Sequence, residues 1–357
     1  MNFRETTRRY EEWMHACAWI VNTELRDKHA KMKQDPFLFL RGTYYRWAQL
    51  WPEICSDSRG APVIVSVGDL HVDSFGTWRD AEGRMCWGVD DFDEAWPLPY
   101  TNDLTRLAAS VKVARKVGAL RIKTTEACEI ILKAYERTLR AGGCPIVLAE
   151  EETHLEKLGI ESWKRPRSFW KNLNKLPAIH GHLPRDVTRA FRSTFPKDRL
   201  SYKVVRREAG LGSLGQIRFV AIAEYRGGYL AREVKNVRPS ANLWLNGRTS
   251  HRLSYYEDIM TSAQRSPDPY QKIAGSWLIR RLSPDSNPIP IEDLPKKRDE
   301  EILLRAMGTE AANIHLGDRR RVKAILKDLR ARKANWLRRD AKKMADLVLR
   351  EWNEYRR

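Results

Sequence analysis

An α+β fold is what this sequence predicts: an antiparallel β segment set between stretches patterned for helix. Three observations carry that expectation. Residues 202–205, 217–223 and 229–234 are runs rich in β-branched and aromatic residues, separated by a glycine-rich segment and by Arg226-Gly227-Gly228. They read as strand, loop, strand, turn, strand. Helical spacing of apolar residues dominates both ends of the chain. Between these regions, the short runs Val63-Ile64-Val65 and Trp87-Gly88-Val89 each give out into an acidic cluster, as strands ending in loops do.

In chain order, residues 1–60 read as helical, with Trp13, Ala16, Cys17 and Ile20 on one face. A second apolar cluster follows over 37–51, behind the break at Asp35-Pro36. Strands and loops occupy 61–100. Helices return over 103–117 and, behind a Thr125 cap with Glu126 and Glu129 in the first turn, over 126–139. The polar stretch 150–200 reads as a connector, with Trp163, Phe169 and Trp170 as satellite core. A helix over 254–264, a strand over 277–282 and a helix over 300–315 come next. Ile325, Leu329, Trp336, Leu337, Met344, Leu347, Leu349 and Trp352 then mark amphipathic C-terminal helices with a basic outer face.

With 357 residues, 42% of them hydrophobic, and 13 Trp, the chain can bury a substantial core. No apolar run is long enough to span a bilayer, and residues 1–12 are charged without an apolar signal core, so a cytoplasmic protein is expected, without membrane partners. Five cysteines without C-x-x-C spacing argue against a disulfide framework or a zinc site and read as small buried hydrophobes. The formal charge of +19 points to a phosphate-rich partner. Much of it sits between Arg319 and Lys343 on the amphipathic helices, where a solvated face is the default, and no nucleic-acid motif accompanies it. Nucleic-acid binding is therefore not the favoured reading.

Chemistry concentrates in three places. Gly68-Asp69-Leu70-His71 and, about twenty residues on, Asp91-Phe92-Asp93 supply one loop carboxylate suited to accept a hydroxyl proton and a second suited to hold Mg²⁺, the minimal equipment for phosphoryl transfer. Downstream, Gly210-Leu211-Gly212-Ser213-Leu214-Gly215 is followed by a strand instead of a helix, so it reads as a nucleotide-covering flap rather than a dinucleotide site. Glycines allow the backbone to approach phosphates, and Lys235, at the end of the third strand, can meet them as a point charge.

Four motifs carry a resemblance. Asp-Pro-Phe-Leu-Phe-Leu-Arg-Gly (35–42), Gly-Asp-Leu-His-Val-Asp-Ser-Phe-Gly (68–76), Asp-Asp-Phe-Asp-Glu (90–94) and Gly-Leu-Gly-Ser-Leu-Gly (210–215) resemble the uncharacterised bacterial family known as domain of unknown function 2252, over most of the chain. That family supplies no activity. The first acidic motif, the second, and Asp103 in Thr-Asn-Asp-Leu-Thr-Arg-Leu-Ala also resemble the catalytic loop, metal-binding segment and following helix of aminoglycoside phosphotransferases and other kinase-like enzymes. Kinase-like enzymes present the glycine loop first; here it comes last, so the resemblance implies a two-lobed protein-kinase-like fold in circularly permuted order. Residues 1–60 would be an N-terminal helical region, 61–200 a large-lobe segment with both acidic loops, 201–285 the antiparallel small lobe, and 286–357 the helices completing the large lobe. The helix over 300–315 would stand where the helix before the catalytic loop stands.

The same resemblance implies roles. Asp69 is the base or hydroxyl-orienting residue, with His71 beside it. Asp91 is the principal Mg²⁺ ligand, helped by Asp93 or by Ser74, which occupies the place of a usual metal-binding Asn. Lys235, Gly210, Gly212, Ser213 and Gly215 hold ATP, Glu257 is the candidate partner of Lys235, and Asp103 braces the catalytic loop. An ATP- and Mg²⁺-dependent phosphotransferase acting on an unknown acceptor, acidic or phosphorylated, is the leading expectation. The alternatives are a nucleotide-binding pseudokinase or nucleotidyltransferase of the same fold, or a basic nucleic-acid-binding protein.

Overall fold

A computed structural model describes residues 1–148, 166–196, 200–208, 210, 212, 214–247, 253–286 and 297–357. Four helices open the chain: α1 (Phe3–Cys17), α2 (Asn22–Gln34), α3 (Pro36–Gly42) and α4 (Tyr44–Ile54). Asp35 makes the break between α2 and α3. Its Oδ1 accepts the N–H groups of Phe37 (2.6 Å) and Leu38 (3.0 Å), and Pro36 takes a first-turn position where a missing N–H leaves nothing unpaired. The inner face of α1 differs from the expected one: Phe3, Tyr10 and Met14 are buried, whereas Ala16 and Cys17 are exposed. The aromatic rings win because they bury more area. Tyr10 stacks on Tyr45 of α4 at 4.3 Å, and Phe3 lies 4.8 Å from Phe39.

Two short antiparallel ribbons follow. Strand β1 (Val63–Ser66) pairs with β4 (Trp96–Pro99), and β2 (Phe75–Arg79) pairs with β3 (Met85–Val89). The two acidic clusters therefore fall on the β1–β2 and β3–β4 connections. Behind them stands α5 (Thr101–Lys116), buried on nearly every side. It packs against α13 (Trp336–Tyr355) and α6 (Thr124–Ala141), and α6 in turn against α11 (Lys297–His315).

The second β region is one antiparallel sheet of β5 (Lys203–Arg206), β6 (Arg218–Tyr225), β7 (Gly228–Asn236), β8 (Lys272–Ala274) and β9 (Trp277–Leu282), in the order β5-β6-β7-β9-β8. The β6–β7 hairpin closes through Arg226 (φ 49°) and Gly227 (φ 83°), both left-handed, as a two-residue hairpin of right-handed twist requires. Helices α7 (Pro166–Lys175) and α8 (Arg185–Arg192) cover the sheet's two faces. Phe169 and Leu173 pack on Val220, Ile222 and Ala231; Val187 and Phe191 pack on Phe219, Val234 and Ile279. Packing thus places α7 and α8 with the sheet. Residues 149–165, with Trp163, lie outside the described residues.

Helices α9 (Ala241–Leu245) and α10 (Tyr256–Ser262) join β7 to β8, and α12 (Val322–Ala331) leads into α13. The C-terminal helices bury Ile325, Trp336, Leu337, Met344 and Leu347 and expose Arg338, Lys342 and Lys343. Cys55, Cys86 and Cys128 are buried, but Cys17 and Cys144 are exposed, so only three of the five act as core residues. Among the described residues no helix is long and apolar enough to cross a membrane.

Candidate functional site

The turn after β1 is built around one glycine. Gly68 has φ +81°, and a Cβ there would meet the Glu94 carbonyl oxygen at 2.5 Å and the Tyr44 hydroxyl at 2.7 Å, so no other residue fits without displacing backbone. Three polar residues on one stripe of α5 hold the loop. Asp103 accepts the N–H groups of Val67 (2.7 Å) and Gly68 (2.9 Å), Arg106 donates through Nε to Asp69 Oδ1 (2.6 Å), and Ser110 Oγ accepts the N–H of Val72 (3.1 Å). Their spacing of three and four residues is that of neighbouring helix turns. The bracing role read for Asp103 is thus visible, reinforced by His315 at the end of α11, whose Nε2 lies 3.1 Å from Asp103 Oδ2. Arg106 and Ser110 were missed. Their signal was present, as a polar i, i+3, i+7 stripe that starts at Asp103.

Within the loop, Ser74 Oγ accepts the His71 N–H (3.0 Å) and donates to the Asp69 carbonyl (3.1 Å). Its proton and one lone pair go to stapling the turn, a use the metal-ligand reading of Ser74 did not foresee. His71 Nδ1 accepts the Asp73 N–H (3.2 Å), which puts the ring proton on Nε2. Burial, followed by Arg41 and Arg106, holds the His71 imidazole well below its usual range, so the ring is neutral. Burial likewise raises the Asp69 carboxyl, and the Arg106 guanidinium opposes that rise.

The β3–β4 connection presents Asp90, Asp91 and Asp93. Gly76 is required opposite, since a Cβ there would lie 2.9 Å from Asp90 Oδ2. Asp91 Oδ1 accepts the Asp93 N–H (3.1 Å), and the side chain is 46% exposed toward the cleft. Burial of this floor would raise the Asp91 carboxyl, yet Lys235, Arg280 and Arg218 outweigh it and hold the group well below the carboxylate range. Glu94 turns the other way: its carboxylate accepts from Ala241 N (2.7 Å) and Ser240 Oγ (3.0 Å) and pairs with Arg238 (2.9 Å), tying the loop to the start of α9.

Opposite stands the charged end of the sheet. On the face that buries Val220 and Ala231, the next positions along the strands are Arg218, Glu233, Lys235 and Arg280. Together the two sides enclose a cleft of about 300 Å³, lined among others by Asp69, Asp91, Gly210, Gly212, Arg218 and Arg280. Gly212 reaches across to α3, where a Cβ would stand 3.6 Å from the Arg41 carbonyl.

Several sequence-predicted residues sit elsewhere or do other work. Lys235 is buried and bonds Asp93 (2.7 Å) and Asp91 (3.4 Å), so its charge is engaged by the loop carboxylates. Glu257, the expected partner of Lys235, is exposed on α10 and does not line the cleft; Asp93 occupies that partnership because the β3–β4 loop reaches β7 directly. Gly215 points away: its N–H donates to Glu24 Oε2 (3.1 Å), and its carbonyl accepts the Val21 N–H (2.9 Å), fastening the glycine segment to α2. Ser213 lies outside the described residues. Among the described residues no three His, Cys, Asp or Glu side chains converge as a metal cage.

Residues 21–164 match the model of a family described as "Uncharacterized protein conserved in bacteria (DUF2252)", which supports the resemblance for the first three motifs; the fourth, at 210–215, lies beyond the matched residues. Among curated proteins and among solved structures nothing matches the chain.

Proposed function

We propose that this protein is an ATP- and Mg²⁺-dependent phosphotransferase with a kinase-like cleft assembled in circularly permuted order. The observation that carries the reading is the meeting of Asp69 and Asp91 with Gly210, Gly212 and the arginine-bearing sheet face around one cavity. Loop carboxylates and sheet arginines face one cavity, as a metal-bound polyphosphate demands. Mg²⁺ is held by one or two carboxylates plus substrate phosphates, so the lack of a three-carboxylate cage does not count against it. The residues present fit that ion: Asp91 has an exposed carboxylate whose Oδ2 has no partner among the described residues, with Asp93 beside it. When bound, the ion would neutralise phosphate charge and orient the chain.

In this reading the acceptor hydroxyl oxygen attacks the terminal phosphorus, the bond from that phosphorus to the bridging oxygen breaks, and ADP leaves. Asp69 orients the hydroxyl and takes its proton, while Arg106 keeps the carboxylate in place. His71, neutral, positions the loop and presents Nε2–H to the cleft it lines. The cations of the sheet face meet the charge that develops on the transferred group.

Use of the Ser74 hydroxyl inside its own loop favours one second reading, a nucleotide-binding pseudokinase. Mass analysis of products after incubation with ATP, Mg²⁺ and a metabolite and protein extract separates the possibilities. Phosphate gained by an acceptor is the expected result, a nucleotide gained indicates nucleotidyl transfer, and no product from a protein that binds ATP leaves the pseudokinase.

A further inference from the structure

The sheet wall carries more positive charge than one phosphate contact needs, and not on the residue singled out by sequence. Arg207 (2.7 Å), Arg218 (2.8 Å) and Arg280 (2.6 Å) all pair with Glu233, which is fully buried. Burial would raise the Glu233 carboxyl, but Arg280, Arg218 and Arg207 hold it well below the usual carboxylate range. Three guanidiniums share this carboxylate, and Arg280 and Arg218 also face the Asp91 charge. Arg207 and Arg280 also remain about a quarter exposed, at 24% and 26%, and all three line the cleft. Arg218 on β6 and Arg280 on β9 flank Glu233 on the intervening β7, and Arg207 follows the end of β5; with strand neighbours about 5 Å apart, the three guanidiniums reach more than one phosphate group.

The rest of the lining offers few apolar side chains to a base. Apart from the glycines, its described residues are almost all charged or polar; Val67, Trp78 and Leu282 are the apolar exceptions. The Trp78 ring is itself covered by the Arg265 guanidinium, 4.3 Å from its centroid. Planar guanidiniums recognise phosphate oxygens by paired hydrogen bonds and are indifferent to what the chain is attached to.

We infer that the donor is recognised through its polyphosphate chain by Arg207, Arg218 and Arg280, with Glu233 as the buried post that aims them, so that inorganic tripolyphosphate and nucleoside triphosphates of any base occupy the site. This rests on the phosphotransferase reading and narrows its donor to a chemical class. Calorimetric titration of the full-length protein in Mg²⁺ with tripolyphosphate, ATP, GTP and adenosine tests it. Tripolyphosphate, ATP and GTP bind within about tenfold of one another and adenosine shows no measurable heat, as expected when charge-assisted hydrogen bonds supply the affinity. Arg280→Gln weakens all three triphosphates together by roughly ten- to a hundredfold. Arg207→Gln, just beyond the end of β5, lowers them in parallel and serves as the check if Arg280→Gln does not fold. ATP binding without tripolyphosphate binding, or adenosine retaining most of the ATP affinity, overturns the inference and leaves the phosphotransferase reading standing. Tripolyphosphate binding that neither arginine variant changes places the ion elsewhere and also overturns it. If neither ATP nor tripolyphosphate binds, both readings fall together.

Discussion

On the acidic side of the cleft the first loop is pinned through its backbone; on the sheet side the charged groups are held by one another. Asp103 grips two main-chain N–H groups, Ser110 a third, and Ser74 closes the turn from inside, so Asp69 rides on a loop fixed by short-range geometry. Arg207, Arg218 and Arg280 instead converge on the one carboxylate of Glu233. The acidic wall should therefore tolerate single changes at its reactive residues without losing shape, while the cationic wall should not survive loss of its central acid.

The largest expected effect tests that contrast. Glu233→Ala removes the buried carboxylate that three guanidiniums share and should lower unfolding stability by about 3–5 kcal/mol in urea titration, the range for breaking a buried ion pair from one side. A change below about 1 kcal/mol would mean the arginines find other partners. The pH dependence sharpens it. Because the Glu233 carboxyl is depressed in the folded state, its contribution is fully present above the unfolded carboxylate value and is lost as pH falls through the lower folded value. The stability gap between wild type and Glu233→Gln should accordingly be flat near neutrality and shrink on acidification.

Asp69→Asn comes next. It keeps shape and an oxygen for Arg106 but removes the charge that takes a proton, so transfer should fall on the order of a hundredfold while nucleotide binding and melting temperature stay close to wild type. If binding is lost in parallel, Asp69 holds the donor and the assignment is wrong. Since burial raises this carboxyl, the acid limb of the rate profile should lie above the ordinary carboxylate range, and a limb at or below it would contradict the geometry.

A smaller effect is expected at the metal position. Asp91→Ala should weaken Mg²⁺-dependent nucleotide binding about tenfold or more with little change without metal, as read by titrating Mg²⁺ at fixed nucleotide. Equal weakening with and without Mg²⁺ would make Asp91 only a counter-charge for Lys235. The smallest expected effect is at Glu257. Exposed and outside the cleft, it should cost no more than about 0.5 kcal/mol as Ala and leave nucleotide affinity unchanged. A tenfold loss would restore it as the partner of Lys235.

Local sequence determined a good deal here. The strand runs ending in Gly68-Asp69 and Asp90-Asp91, the Asp35-Pro36 cap, the left-handed Arg226-Gly227 turn and the one-sided apolar C-terminal helices are settled by neighbours within a few residues, where periodicity and backbone preference act. Gly210 and Gly212 were legible as a loop for the same reason. Tertiary structure alone decided which charges meet. Lys235 finds Asp93 across 142 residues, His315 finds Asp103 across 212, and Glu233 gathers arginines from β6, from β9 and from just beyond β5. In sequence an arginine on a strand reads as a solvated side chain, and Gly215 reads as one more phosphate-facing glycine. Only the fold removes water from Arg218, pulls the Gly215 N–H onto Glu24, and leaves Glu257 outside, because burial and pairing are properties of three-dimensional neighbours that local pattern does not encode.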